Sequence, residues 1–191
     1  MGKVRRGFKT EAESIALEVR AELGLSSTDP LDPLALADHL DIPVVALSSL
    51  RHAPAAAVRH LQDVEPEAFS AVTVFDGLRR TIVHNDAHAP GRQRSNVAHE
   101  LSHGLLHHPP TPALDHRGCR WWDPTIEEEA TILAGVLLLP QEACIAMALQ
   151  WASDTEVALA FGTSPDMARW RMNASGARLI ARRSQAKRAR R

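Results

Sequence analysis

The chain has 191 residues, 45% of them hydrophobic, with 22 basic and 23 acidic side chains for a net charge of -1. That is enough apolar material for one core, and no apolar run reaches the ~18–20 residues that a membrane-crossing helix needs. The near-neutral total hides an uneven spread. Residues 1–10 hold four basic side chains and no acid, residues 178–191 hold seven and none, and 11 basic groups face 23 acidic ones in between.

The basic start is not followed by an apolar stretch and a small-residue cleavage site, so no secretory signal is expected. Two cysteines, Cys119 and Cys144, are too few for a disulfide framework and suit a reducing compartment, the cytoplasm. The ends, 1–10 and 181–191, read as solvated basic tails that can touch nucleic acid or an acidic partner. They flank one domain over 11–180.

Residues 11–24 predict an amphipathic helix, with Ile15, Val19 and Leu23 at helical spacing and Gly24 to close it. A Ser/Asp/Pro-rich loop over 26–33 leads to a short helix over 34–40, opened by Pro33, and a strand over 43–47. Residues 52–66 have no clear pattern. Ala71 to Phe75 and Arg80 to His84 are β-branched runs around Asp76-Gly77, a strong hairpin signal. After a loop over 85–91, a helix is predicted over 95–107, stopped by Pro109-Pro110. Residues 111–123 are irregular, and helices follow over 125–139 and 141–151. Residues 155–161 and 165–172 form a helix-turn-helix-like pair within 153–180, around Gly162. Helices, a small sheet, then more helices give an α+β fold, the hairpin packing on the helix over 95–107.

Ten histidines are present, and four of them fall between 99 and 108. They include His99-Glu100-Leu101-Ser102-His103, an H-E-x-x-H pattern. Residues four apart lie on one helix face, about 6 Å apart along the axis, so His99 and His103 can converge on one zinc ion. Glu100, next to the first ligand, is placed to act as general base and then acid. Chance alone gives this pattern in roughly 3 of 100 shuffled chains of this composition, so the context must carry the rest.

A catalytic zinc needs a third protein ligand. His107 is eight residues from His99, about 12 Å along a helix and too far. Pro109 occupies the position where a metzincin carries its third histidine. His107 and His108 therefore read as supporting or helix-terminal residues. Glu127, Glu128 and Glu129 open the helix over 125–139. Glu129 shares a face with Ile126, Ile132, Leu133 and Val136, where a carboxylate needs a partner such as a metal. Glu128 lies more toward the polar side and is the alternative third ligand, and Glu127 reads mainly as a favourable first-turn acid.

Three segments together resemble the ImmA/IrrE family of metallopeptidases: residues 98–107 around the motif, Gly118 to Pro124 (GCRWWDP), and 127–140 (EEEATILAGVLLLP). The hairpin, the stretch from Asn85 to Gln93, and the region from Arg20 to Val44 resemble it too, so the likeness spans most of 11–180. It implies a gluzincin-like, zinc-dependent endopeptidase with ligands His99, His103 and an acid directly preceding an alanine, which is Glu129 here, and with Glu100 as base. It also implies a protein substrate, a helix-turn-helix transcriptional repressor whose cleavage switches on mobile-element or stress-response genes. The chain departs from the family at Thr131 and Ile132, where an Asn and an aromatic residue are usual.

The chain has no tyrosine, so oxyanion stabilisation must come from His, Arg, Trp or backbone N–H groups. His84, His88 and His116 are the nearby histidines. Thr81 to His84 is a candidate edge strand for β-augmentation by substrate. Cys119 is a candidate inhibitory fourth ligand, and Trp121 and Trp122 could line a groove. The helical pair over 153–180 and the basic tail support one alternative, a DNA-binding regulator with a vestigial H-E-x-x-H site.

Overall fold

The structure, a computed structural model, describes residues 4–109 and 123–188. The first helix, α1 (Phe8–Glu22), buries Phe8, Ala12, Ala16 and Val19 along one stripe, the face that the helical spacing predicted. Pro33 sits in the first turn of α2 (Pro33–His39), and the Asp32 carboxylate accepts from the Leu34 N–H at 3.1 Å. This cap satisfies one of the donors a helix start leaves open. Strand β1 (Val44–Ala46) follows. The stretch without a sequence pattern contains the short helix α3 (Ala55–Arg59) and a π turn over His60–Val64. Neither buries a residue, so neither left an apolar period to read.

The predicted hairpin is present as β2 (Ala71–Asp76) and β3 (Arg79–His84). The sheet order is β1-β3-β2, with β1 parallel and β2 antiparallel to β3. Strand β3 is therefore central and not the edge expected of Thr81–His84. The hairpin covers one side of it, and β1 pairs its other side with Val44 opposite Ile82. Among the described residues the edges open to an added peptide are β1 and β2.

Helix α4 (Pro90–Leu105) starts five residues earlier than expected because Pro90 takes its first turn. Helix α5 (Pro124–Leu138) is capped by Asp123, which accepts from the N–H groups of Thr125 and Ile126. It packs against α1 and α4, and Leu133, Ala134, Leu137 and Leu138 are fully buried. Two buried arginines close its C-terminal end. Arg20 of α1 donates to the Leu137 carbonyl at 2.7 Å, and Arg171 donates to the Leu139 carbonyl at 2.9 Å. They supply the partners that the last carbonyls of a helix lack.

The chain then runs through α6 (Gln141–Leu149), α7 (Asp154–Phe161), α8 (Pro165–Ala174) and α9 (Ala177–Arg188). Ser153 and Glu156 form a capping box at the start of α7. Residues 181–188, expected as part of a tail, continue α9 instead, because Ala177 and Ala181 are buried in the core shared with α6 and α8. The architecture is α+β, a three-stranded sheet beside a layer of helices. Among the described residues no single helix is long and apolar enough to cross a membrane.

Candidate metal centre

Helix α4 runs alongside α5 and touches both strands of the hairpin. Its buried residues Val97, Ala98, Leu101 and Ser102 fix its rotation. That rotation leaves His99 and His103 half-buried, on a face that meets the first turn of α5. Their Nε2 atoms lie 3.1 Å apart. The Glu127 carboxylate completes the group, with Oε2 3.2 Å from His99 Nε2 and Oε1 3.9 Å from His103 Nε2. One ligand atom from each residue lies within 4.8 Å of the others.

This donor set fits a divalent ion. Bonds of 2.0–2.1 Å in tetrahedral geometry separate ligand atoms by about 3.3 Å, close to the spacings found. Two imidazole nitrogens and a carboxylate converge, and a cation between them would take a lone pair from each. The three side chains are 25%, 22% and 17% exposed, so the group is open to solvent on one side.

Of the residues expected at the metal, the structure brings His99 and His103 together, and the acid it brings to them is Glu127. Glu129 is only 8% exposed, as its apolar face predicted, but its carboxylate has other partners. Arg5 Nε donates to Oε1 at 3.1 Å, and His108 Nε2 lies 3.6 Å from Oε2. A buried carboxylate needs a partner. The partner is a guanidinium and an imidazole, not the imidazoles of the H-E-x-x-H pair.

Glu100 is held by a residue that sequence reasoning did not single out. Thr73, on β2, donates its hydroxyl to Glu100 Oε2 at 2.6 Å. The alternation of β2 places Thr73 beside Ile82 of β3, whose side chain is in the core beneath α4. Only the pairing of sheet and helix shows that this hydroxyl meets the general-base position.

His88 is committed elsewhere. Its Nε2 bonds with the Pro66 carbonyl at 2.9 Å, and its Nδ1 lies 3.3 Å from the Asn96 amide. His84 has a buried Nδ1 without a hydrogen-bond partner. Burial pushes its pKa below the ordinary histidine value, against the opposing pull of Asp86. Burial does the same to His108, opposed by Glu129. His116, Cys119, Trp121 and Trp122 lie outside the described residues.

The Peptidase_M78 family, described as the IrrE N-terminal-like domain, matches residues 37–173. The chain belongs to this family, a family of metallopeptidases. The matched span runs from α2 to the end of α8 and contains the whole candidate centre. No curated protein matches the chain.

Proposed function

We propose that this chain is a zinc-dependent endopeptidase acting in the cytoplasm, with His99, His103 and Glu127 as metal ligands and Glu100 as general base. The observation that carries the reading is the convergence of those two imidazoles and one carboxylate at 3.1–3.9 Å, one residue away from an acid clamped by Thr73. His99, His103 and Glu127 would hold a zinc ion here, which would supply Lewis acidity toward a scissile carbonyl and a water molecule. Glu100, fixed through Oε2, takes the proton of the attacking water and returns it to the leaving amine. The edge of β2 carries Thr73 past this carboxylate, so an extended peptide adding to that edge runs beside the base.

The proposed substrate is a helix-turn-helix transcriptional repressor, supported by the resemblance to the ImmA/IrrE family. The DNA-binding alternative draws little from the helical pair. Helix α8 turns Ala168, Arg171 and Met172 into the core, and its exposed Arg169 pairs with Asp154 and Asp166.

The test is incubation of the zinc-loaded protein with purified helix-turn-helix repressors from the same genome, read by mass spectrometry. Cleavage at one or a few bonds, abolished in Glu100→Gln with its zinc retained, is the expected result. Equal cleavage by the Gln variant would refute the assignment of the base.

A further inference from the structure

The end of α4 is built in an unusual way. The His107 N–H donates to the Gly104 carbonyl at 3.1 Å and the His108 N–H to the His103 carbonyl at 3.0 Å. His107 has φ 53°. This is the paired-bond ending of a helix that reverses through one left-handed residue, a position usually given to glycine. In such an ending the residue after the turn packs over the one five positions back, usually by an apolar contact. Here those two residues are His108 and His103, and the contact is polar. His108 Nδ1 lies 2.9 Å from His103 Nδ1. The His108 side chain is only 9% exposed, and its Nε2 is buried without a hydrogen bond, 3.6 Å from the Glu129 carboxylate.

We propose that His108 is a positioning residue for the metal ligand His103, backed by Glu129 and Arg5. The inference rests on the reading of His103 as a ligand. A ligating Nε2 of His103 carries no proton, so its proton is on Nδ1, and Nδ1 donates to His108 Nδ1. His108 must then hold its own proton on Nε2, which faces Glu129 Oε2. Arg5 binds the other carboxylate oxygen and also pairs with Glu11. With both imidazoles neutral and His103 Nε2 bare for a metal, the row His103, His108, Glu129, Arg5 has one arrangement of protons, and it turns the His108 Nε2–H toward the Glu129 carboxylate 3.6 Å away. Ligating histidines generally need such a partner on their other nitrogen to fix ring orientation and basicity. The partner here is a second imidazole, delivered by the helix ending itself.

The experiment measures zinc affinity of the full chain by competition with a chromophoric chelator, for wild type, His108→Leu and His108→Asn. Asn places its Oδ1 where Nδ1 stands and accepts the same bond; Leu cannot. Zinc should bind His108→Leu about 10–100-fold more weakly, and His108→Asn should recover most of the loss. If the Leu variant does not fold, His108→Gln replaces it, since its amide reaches the Nε2 position instead. Wild-type affinity in His108→Leu, or an Asn variant as weak as Leu, overturns the positioning role alone. Absence of zinc from the wild type overturns the metal centre and this role with it.

Discussion

Glu127→Ala and Glu129→Ala, two positions apart on α5, should separate sharply in zinc binding. Structural zinc in a four-ligand site binds with about 10–16 kcal/mol, or about 2.5–4 per ligand, so loss of a ligand weakens binding by roughly 10²–10³. Glu127 Oε2 is 3.2 Å from His99 Nε2, and its removal should have an effect of that size. Glu129 reaches the centre only through His108, at 3.6 Å, so its removal should weaken zinc by about tenfold. Thermal melts give a second measure. At free zinc about 1,000-fold above the wild-type Kd the ion adds about 4 kcal/mol to stability, and a site weakened 10²–10³-fold retains only about 0.4–1.4 kcal/mol. Elemental analysis and chelator competition would be run on both variants with the wild type. Zinc lost from Glu129→Ala and retained by Glu127→Ala would refute the assignment drawn from the geometry.

Thr73→Val removes the hydroxyl bound to Glu100 Oε2 while keeping the shape of the side chain. A hydrogen bond to a charged group contributes about 1.5–3 kcal/mol, so kcat should fall roughly 10–100-fold with zinc content unchanged; full turnover would show that the clamp is idle. The folded protein favours neutral His84, because burial holds its pKa below the ordinary 6.5. Its contribution to stability is therefore complete above pH 6.5 and is lost as pH falls below that value, where the unfolded chain takes up the proton first. The melting temperature of zinc-free protein should drop with acid over that range, more gently in His84→Leu; identical slopes would refute a role for His84.

The fold was legible where the residues carry a local signal. Helix α1 turns one stripe into the core, α5 is an apolar run buried along most of its length, the hairpin is marked by β-branched runs around Asp76-Gly77, and α3 has no such signal. Within the centre, His99, Glu100 and His103 were legible because their spacing on a single helix already brings them to one face. The third acid was not, since it belongs to a second helix whose rotation relative to α4 no local pattern records. Positions 127 and 129 point about 200° apart on a helix, and α5 is buried on more than one side, against α1 as well as α4. The apolar stripe that singled out Glu129 is real, and it leads to Arg5 at the start of the chain and His108 beyond α4. Glu127 looked like an ordinary first-turn acid, and it is one. The same location puts its carboxylate opposite the two imidazoles, at the end of the helix where a negative charge is already favoured by the backbone. A position that favours a carboxylate for local reasons is an economical place to carry a ligand, and for that reason the sequence alone does not distinguish the two roles.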